Sequence, residues 1–478
     1  MGINSLLPWK NSNIETDKQA YDEFKRRMSA LRQAKVLVVG GGGREHAIVD
    51  ALSRSSYVGK IYCAPGNPGI AQLAICLPLE DTQVDELLAF ARSEQIDLTV
   101  VGPEIPLSAG IVDAFTQAGQ RIFGPSAAAA RIESSKDFAK DIMARYGVPT
   151  AAYRTFEDYT EALEYVRGGS FPVVLKYDGL AAGKGVVIPD NLAEAEAALR
   201  DMLVDDKFGK GKVVIEEFLT GPEFSFLCFV CGPEVFPMAL SQDHKRAYEG
   251  DRGPNTGGMG AYSPLPFITK EDEEYALEKI MKPVAAAMVA EGCPFKGVLY
   301  GGLMKTPQGI KVIEFNCRFG DPETEVVLPR LKTDLFEIFC AVAEGGMPPV
   351  QPEGTVALEG LTVPASALMP ELVWSDEAVM GFVLASKGYP GSYKKGFEIT
   401  GLNEALDNPD VKIYHMGTSV KKSSDLAEGR CYTAGGRVMM VLASGANLQE
   451  AHDRALAASE KIRCENLFFR RDIGYRVL

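Results

Sequence analysis

Short apolar runs alternate with segments of helical spacing in the first part of the chain. Four of these runs predict strands: Lys35–Val39, Lys60–Cys63, Asp97–Val101 and Arg121–Phe123. Two segments predict helices: Arg44–Ser53 and Val84–Ser93. Strands that alternate with helices form βαβ units, so this part predicts a doubly wound parallel sheet. Each predicted strand ends in a turn rich in glycine or proline, and in such a sheet these turns gather where ligands bind.

The pattern changes after about residue 134. Ser134 or Ser135 can cap a helix that ends at about Gly147. Short strands with hairpin turns then follow: Phe171–Lys176, Val186–Ile188, Lys212–Phe218, Phe224–Val230, Val298–Lys305 and Ile310–Asn316. That mixture predicts an α+β region. A third region follows the proline-rich segment Met347–Pro352, and its predicted elements are two strands and one capped helix: Phe382–Ser386, Arg437–Ala443 and the helix after Asn447.

Charge excludes several classes of protein. The chain has 478 residues with 50 basic and 64 acidic side chains, which gives a net charge of −14. So acidic a chain repels phosphate backbones and anionic membranes, and we expect neither a nucleic-acid nor a membrane partner. A small anionic substrate is still compatible, because local cations and backbone N–H groups can form an anion site.

Cysteine usage and the N-terminus are typical of a cytoplasmic protein. The nine cysteines lack regular short spacing, which is typical of reduced thiols. Cys228 and Cys231 lie in an apolar run, so we expect a buried strand there rather than a zinc site. No uncharged apolar run reaches the length of about 18 residues that a membrane helix needs. Residues 1–34 mix acidic and basic side chains and predict a helical extension without chemistry.

The glycine run Gly40–Gly43 is the first candidate binding element. The dinucleotide pattern G-x-G-x-x-G, counted from its first glycine, requires glycine where Glu45 stands. The turn Cys63–Asn67 after the second strand also lacks an acidic residue for a ribose, so NAD binding is disfavoured. What remains is a cradle of backbone N–H groups beside Arg44 that suits a single phosphate. The alternative is a tight turn needed only for packing.

A second glycine-rich loop lies in Leu175–Val186. A P-loop would need serine or threonine at Gly185 and a helix after it, whereas a β-branched strand follows. The segment instead predicts a flexible strand–loop–strand over nucleotide phosphates, with Lys176 and Lys184 as point charges. Hairpins rich in glycine and lysine are common, so this loop alone identifies no function.

The predicted strand Val312–Asn316 carries a candidate metal site. A period of two places Glu314 and Asn316 on one face. A carboxylate and an amide oxygen suit Mg²⁺ bridging nucleotide phosphates, although a merely exposed polar face has the same pattern. Upstream, Ile215–Leu219 and Glu223 could supply an adenine-binding edge and a ribose-binding carboxylate.

Polar, glycine-rich stretches elsewhere are typical of functional loops. Ser241–Arg246 runs into Asp251–Gly260, and Glu314–Glu323 follows the last predicted hairpin. Long charged loops in a compact domain are more often functional than not. His415 and His452 lie apart from these stretches and are expected to be surface or core residues.

Together these segments resemble the phosphoribosylamine–glycine ligase family of the ATP-grasp ligases. The likeness runs from about Lys35 to the C-terminus in the family's motif order, through Val36–Ala47, Ala64–Asn67, Lys176–Gly185, Gln242–Arg246, Gly253–Ser263, Glu314–Glu323, Ala385–Gly391 and Arg471–Gly474. It implies an α/β and α+β multidomain fold with an N-terminal doubly wound preATP-grasp sheet, a central ATP-grasp unit and a C-terminal α+β domain.

The resemblance also implies an activity. Glycine, ATP and 5-phosphoribosylamine would give glycinamide ribonucleotide, ADP and phosphate, the second step of de novo purine biosynthesis, with Mg²⁺ or Mn²⁺ as cofactor. The glycine carboxylate would attack the γ-phosphate, and the sugar amine would then attack the resulting glycyl phosphate. The protein would supply positioning, charge neutralisation and exclusion of water.

By the same resemblance, the motif residues fall into four groups. Expected to contact ATP are Lys136, Lys176, Gly183, Lys184, Gly185, Glu216, Glu217, Phe218, Leu219 and Glu223. Expected to face phosphoribosylamine are Gly42, Gly43, Arg44, Glu45, Asn67, Pro103 and Glu104. Expected around glycine and the transferring phosphoryl group, as catalytic residues, are Asp243, Lys245, Arg246 and Arg318. The expected metal ligands are Glu314 and Asn316.

The predicted domain plan has five parts. They are an extension at 1–34, a preATP-grasp domain at 35–135, an ATP-grasp domain at 136–346 with its lid at about 150–215, a linker at 347–374 and a C-terminal domain at 375–478. The extension precedes the family's usual start, and Gly354–Trp374 looks longer than the usual linker. Neither touches a motif, and we expect a monomer or weak homodimer.

Two other functions stay open. Another ATP-grasp purine enzyme, such as the ATP-dependent carboxylase subunit acting on aminoimidazole ribonucleotide, would have the same fold, but the loops Gln242–Arg246 and Gly253–Gly260 favour glycine ligation. A catalytically silent nucleotide-binding or interaction protein is disfavoured by the presence of both expected phosphate lysines and both expected metal ligands.

Overall fold

The fold is known from a computed structural model that describes residues 22–26, 33–179, 185–205, 207–345 and 364–478. The strands are β1 (Ala34–Gly40), β2 (Val58–Pro65), β3 (Ile75–Cys76), β4 (Leu98–Val101), β5 (Ile122–Phe123), β6 (Tyr153–Phe156), β7 (Val173–Tyr177), β8 (Val186–Val187), β9 (Val213–Glu217), β10 (Glu223–Cys231), β11 (Glu234–Pro237), β12 (Gln242–Asp243), β13 (Arg246–Tyr248), β14 (Arg252–Asn255), β15 (Gly260–Ser263), β16 (Lys296–Thr306), β17 (Gly309–Asn316), β18 (Ala378–Ser386), β19 (Glu398–Ile399), β20 (Val411–His415), β21 (Thr418–Ser419), β22 (Cys431–Thr433), β23 (Arg437–Gly445) and β24 (Leu467–Phe468). The α-helices are α1 (Gly43–Ser53), α2 (Val84–Ser93), α3 (Glu104–Ser108), α4 (Ile111–Gln117), α5 (Ala127–Ser134), α6 (Lys136–Tyr146), α7 (Tyr159–Arg167), α8 (Leu192–Leu203), α9 (Lys270–Ala276), α10 (Lys282–Ala290), α11 (Thr324–Val327), α12 (Leu335–Glu344), α13 (Leu402–Ala405) and α14 (Leu448–Lys461). Within the described ranges, no helix is long and apolar enough to span a bilayer.

The N-terminal unit is a parallel sheet of order β3–β2–β1–β4–β5. The apolar residues 36–39 of β1 are completely buried, as expected of a central strand covered on both faces. The strand order reverses between β1 and β4, so the turns after Gly40 and Val101 meet at the switch point. The predicted doubly wound sheet is confirmed.

The predicted helix after Ser135 is α6, and its ends follow from local chemistry. The Ser135 hydroxyl accepts a hydrogen bond from the Phe138 backbone, and Gly147 ends the helix with a φ of +67°. Beyond it, the antiparallel sheet β6–β9–β7–β8 packs on α7 and α8 around a small core of its own. This unit spans most of the residues predicted for the lid, whose role stays a prediction.

A second antiparallel sheet, β11–β10–β16–β17, forms the body of the central region. Its last two strands are joined by the predicted hairpin, in which Thr306 pairs with Gly309. The register passes from the pair of Gly302 and Glu314 directly to that of Leu303 and Val312, so Ile313 forms a bulge. Cys228 and Cys231 are buried thiols in β10, which confirms the strand interpretation.

The C-terminal sheet crosses the predicted domain boundary. Its order is β12–β15–β18–β23–β20, with β24 added on β18. Gly260 of β15 pairs with Phe382 of β18, so the strand after the glycine-rich loop belongs to the same sheet as the C-terminal region. The loops of the central region are therefore anchored on the C-terminal sheet.

Part of the predicted extension is helical. Residues 22–26 form a helical segment whose Phe24 is completely buried in the same hydrophobic cluster as Val36 and Phe336. Lys25 pairs with Glu337 of α12. Residues 1–21 and 27–32 of the extension and residues 347–363 of the predicted linker lie outside the described residues.

Candidate active site

Side chains from four strands and the loop after β12 surround a small cavity in the central region. Those that carry polar groups are Glu223, Asp243, Lys245, Tyr300 and Glu314. Lys245 Nζ donates to Asp243 Oδ1 at 2.9 Å and lies 3.4 Å from Glu223 Oε2. The structure thus brings together residues predicted separately for the ribose, for catalysis and for metal binding.

The charges in this cavity hold each other in the ionised form. Burial alone would lower the pKa of Lys245, but Asp243 and the other acidic neighbours outweigh it and raise that pKa well above its usual range. Burial alone would raise the pKa of Glu314, but Lys176, Lys136 and Lys245 lower it below its usual range. The cavity therefore presents an ionised carboxylate among ammonium groups at neutral pH.

The two predicted phosphate lysines approach the cavity from different elements. Lys176, on β7, donates from Nζ to Ile313 O at 2.7 Å. Lys136, at the start of α6, donates to Glu133 O at 3.0 Å and to Gly179 O at 3.4 Å. The glycine-rich loop of Leu175–Val186 begins at the end of β7.

The structure describes the predicted glycine loop up to Gly179 and again from Gly185. Tyr177 N donates to Gly185 O at 2.8 Å, which closes the base of the loop. Gly183 and Lys184 lie outside the described residues, so their predicted role in ATP binding stays a prediction.

The predicted adenine edge presents backbone rather than carboxylates. The Glu216 side chain is turned inward between two lysines, and the Glu217 carboxylate pairs with Lys311 at 2.7 Å. Phe218 is 41% exposed and Leu219 is half-buried. An adenine at this edge would meet main-chain groups and apolar side chains, and the predicted adenine edge stays a prediction.

The predicted metal ligands fit a hard divalent cation. Glu314 and Asn316 lie on one face of β17, opposite Gly302 and Tyr300 of β16. Within the described part of the chain, neither side chain makes a hydrogen bond, so their oxygens are available as ligands. No cluster of three or more histidine, cysteine, aspartate or glutamate residues that could hold a metal occurs among the described residues. Nucleotide phosphates and water would have to complete the coordination shell.

Arg318 links the central region to the N-terminal sheet. Its Nε donates to Glu104 Oε2 at 3.3 Å, and its Nη2 lies 3.4 Å from Glu133 Oε1. Burial alone would lower the pKa of Arg318, but the carboxylates of Glu133 and Glu104 raise it. Burial opposes a low pKa for Glu104, yet Arg318 and Arg44 lower it. Predicted catalytic and substrate residues thus meet at this junction, where Pro103 caps α3.

The glycine turn after β1 differs from the predicted phosphate cradle. Glu45 occupies it: Oε2 accepts from Gly42 N at 2.6 Å, and Oε1 accepts from Arg44 Nε at 2.7 Å. A Cβ at Gly40 would lie 2.7 Å from Glu45 Cδ. The glycines therefore make room for a carboxylate of the protein itself, and Arg44 is buried against it. This part of the turn agrees with the alternative given above, a tight turn needed for packing.

Asn67 is also engaged by the protein itself. Its Nδ2 donates to Gly41 O and to His415 O, both at 2.9 Å, and its Oδ1 accepts from Ile70 N at 3.0 Å. Both N–H donors of the amide are used, so Asn67 fixes the glycine turn to β20. Its predicted place facing phosphoribosylamine stays a prediction.

Two further predictions have different outcomes. The Arg246 guanidinium is exposed and donates to Gly253 O at 2.8 Å. It does not line the cavity that Lys245 lines. His415 is buried as a core residue, but it is not remote from the motifs, because its backbone N donates to His46 Nδ1 at 2.9 Å.

Comparison with known proteins places this geometry in a family. Descriptions of the phosphoribosylglycinamide synthetase N domain, ATP-grasp (A) domain and C domain match residues 34–133, 134–324 and 379–476. A phosphoribosylamine–glycine ligase from Halalkalibacterium halodurans is 46% identical over 445 residues, which cover 93% of this chain and 97% of that protein. One from Listeria innocua is 48% identical over 442 residues, which cover 92% and 99%. The chain belongs to the phosphoribosylglycinamide synthetase family.

A solved structure agrees with this membership. The crystal structure of phosphoribosylamine–glycine ligase from Thermotoga maritima is 31% identical, with a TM-score of 0.74, and the match covers 92% of this chain and 100% of that one. The resemblance seen in the motifs is confirmed, and so is the multidomain ATP-grasp architecture.

Several residues of this synthetase site were not predicted from the sequence. Glu323 is buried and accepts hydrogen bonds from Ser225 Oγ and Tyr300 OH, both at 3.0 Å. Arg437 reaches from β23 to the Glu314–Glu323 loop. Two of these residues had a local signal: Glu323 ends the stretch Glu314–Glu323 that was predicted to be a functional loop, and Lys140, whose Nζ lies 2.9 Å from Glu216 Oε2, comes four residues after Lys136 on α6.

Proposed function

We propose that this chain is an ATP-dependent ligase that joins glycine to 5-phosphoribosylamine and releases glycinamide ribonucleotide, ADP and phosphate. The observation that carries the proposal is the cavity in which Lys245, Asp243 and Glu314 lie together beside both phosphate lysines. Support also comes from relatives that carry this activity in their names and match the chain almost end to end.

The first step is the activation of glycine. A carboxylate oxygen of glycine attacks the γ-phosphorus of ATP, the bond to the β-phosphate oxygen breaks, and ADP leaves. Lys136 and Lys176 offset the phosphate charge, and we assign Lys245, which lines the cavity, to the incoming carboxylate. Glu314 and Asn316 would hold Mg²⁺ or Mn²⁺, which supplies further charge neutralisation to the phosphates when bound.

The second step is attack by the sugar amine. The nitrogen of phosphoribosylamine attacks the acyl carbon of glycyl phosphate, phosphate leaves, and the nitrogen loses a proton. The junction of Arg318 and Glu104 lies between the cavity and the N-terminal sheet, so we place the sugar phosphate there. Glu45 and Asn67 already form hydrogen bonds within the protein, and we propose that they shape this junction.

Product analysis with matched substrate omissions tests the proposal. ADP release is measured with glycine and phosphoribosylamine together and with each alone, and glycinamide ribonucleotide is identified by mass spectrometry. We expect product only with both substrates. Turnover with bicarbonate and aminoimidazole ribonucleotide would instead support the carboxylase alternative, and nucleotide binding without turnover would support the silent one.

The cellular setting follows the same proposal. We propose a cytoplasmic enzyme that works on small molecules as a monomer or weak homodimer, without a nucleic-acid or membrane partner. The five-part domain plan is proposed with one refinement: β12 and β15 of the ATP-grasp region belong to the C-terminal sheet.

A further inference from the structure

Three buried charges meet behind the ATP site. Glu216 Oε2 lies 2.9 Å from Lys140 Nζ, and Glu216 Oε1 lies 3.0 Å from Lys176 Nζ. All three side chains are at most 4% exposed. The Glu216 carboxylate is thus shared by two ammonium groups. That of Lys176 belongs to the proposed phosphate site, and that of Lys140 does not.

Lys140 is held by groups of the surrounding elements. Its Nζ donates to Thr150 Oγ1 at 2.8 Å, and Thr150 Oγ1 donates to Val312 O at 2.8 Å. The ammonium also lies 5.4 Å from the centre of the Tyr153 ring. These contacts tie α6 to the lid and to the strand that carries Glu314, and none of them involves a residue that we propose for substrate binding.

The charge balance of the cluster explains what Lys140 adds. Two ammonium groups and one carboxylate leave a net charge of about +1 in a region of low dielectric. Burial lowers the pKa of Lys140 to about 8, with Glu216 opposing the shift, so Lys140 is charged at neutral pH. If Lys140 were absent, Glu216 would neutralise Lys176 alone, and the pair would offer little attraction to a phosphate.

We infer that Lys140 is a positioning residue for the phosphate site: it holds Glu216 and offsets its negative charge, so that Lys176 keeps its own positive charge for ATP. The geometry of Lys176 agrees, because one of its three N–H donors is directed to Ile313 O and the Glu216 contact occupies a second side. A donor remains for a ligand. This inference rests on the proposed role of Lys176.

Charge variants of the cluster test the inference in the full-length enzyme. Lys140→Met is expected to raise the KM for ATP at least tenfold while changing the KM for glycine less than threefold. Lys140→Arg keeps the charge and is expected to recover most of the loss. Adding Lys140→Met to a Lys176→Met enzyme is expected to change ATP binding little, because Lys140 acts through Lys176.

A double variant separates charge from folding. Lys140→Met with Glu216→Gln removes one buried charge of each sign, so Lys176 keeps its charge and ATP binding should recover relative to Lys140→Met alone. Urea unfolding of each variant reports stability. Arg145→Met, at the exposed end of the same helix, is the matched control and should leave the KM for ATP unchanged.

The possible failures are distinguishable. Normal ATP kinetics in Lys176→Met would contradict the proposed phosphate site itself. An ATP defect in Lys176→Met with none in Lys140→Met would overturn this inference alone. Equal rises in both KM values together with lost stability, or no recovery in the double variant, would also overturn it, since either would make Lys140 merely structural.

Discussion

The carboxylate of Glu45 accepts a hydrogen bond from the backbone N–H of Gly42 at 2.6 Å. The N–H group of Gly42, the N-cap of α1, is therefore satisfied by a side chain of the same helix. The same carboxylate pairs with Arg44, which in turn donates to Phe319 O at 3.0 Å. A turn with the composition of a phosphate cradle is here an interior junction between the N-terminal sheet and the central region.

Replacing this carboxylate should cost stability. In Glu45→Gln the Gly42 N–H keeps an acceptor but Arg44 loses its closest counter-charge, so we expect the free energy of unfolding to fall by about 2 kcal/mol or more. Urea denaturation at neutral pH measures the change, with the exposed Glu86→Gln on α2 as control. Full stability with a raised KM for phosphoribosylamine would instead return Glu45 to the substrate site.

Removing the proposed metal carboxylate should affect turnover and spare the fold. Glu314 makes no hydrogen bond within the described structure, so Glu314→Ala leaves no buried partner without its bond. We expect activity to fall at least a hundredfold across a Mg²⁺ titration, while urea unfolding stays cooperative and its midpoint falls only slightly, because the cavity lysines lose one of several counter-charges. The exposed Glu274→Gln is the control, and Mg²⁺ dependence like that of the unmodified enzyme in Glu314→Ala would refute the assignment.

Two buried histidines should make stability depend on pH. Burial lowers the pKa of His46 to about 3 and that of His415 to about 4, against about 6.5 in an unfolded chain. Below about pH 6.5 the unfolded chain binds protons that the folded chain excludes, so this stability is complete above that pH and is lost on acidification. We expect a loss of about 2 kcal/mol per histidine at pH 5 relative to pH 7.

Denaturation at both pH values measures that loss. The double variant His46→Asn with His415→Asn should show a smaller difference between pH 7 and pH 5. His452→Asn, which replaces a histidine on the flank of α14, is the control. An unchanged pH dependence in the double variant would show that other groups are responsible.

Arg437 should couple the C-terminal sheet to the catalytic loops. Its Nη1 donates to Gly257 O at 2.6 Å and to Asp321 O at 2.8 Å, and its Nη2 lies 2.9 Å from Asp321 Oδ1. Arg437→Met removes these contacts to the loops that contain Gly257 and Asp321. We therefore expect kcat/KM for glycine to fall at least tenfold. Arg437→Lys cannot make all three contacts and should restore little.

A surface arginine supplies the matched control for this prediction. Arg463→Met removes an exposed pair with Glu404 and should leave kcat/KM unchanged. Wild-type kinetics in Arg437→Met would mean that the two loops are ordered without the C-terminal sheet.

Much of the fold could be predicted because its signals are local. The apolar run of β1, the cap at Ser135 and the hairpin between Thr306 and Gly309 each depend on neighbouring residues. The pairing of β15 with β18 could not be predicted, since it joins residues more than a hundred positions apart and no periodicity specifies a partner strand.

The candidate site divides in the same way. Alternation along β17 placed Glu314 and Asn316 on one face, as predicted. The inward orientation of the Glu216 side chain was not predictable. A carboxylate in a strand can lie on either face of the sheet, and its burial depends on Lys140 and Lys176, which other segments bring within ion-pair distance.

The sequence by itself determined the family, the order of the elements and the residue types available for anion and metal binding, because motifs and periodicities are properties of short segments. Only the tertiary structure decided which polar groups pair. Arg44 meets Phe319, Asn67 meets His415, and Arg437 meets Asp321 because distant segments pack within hydrogen-bond distance. Buried polar groups must find partners, so those contacts distinguish the residues that remain free for substrate from those that hold the protein together.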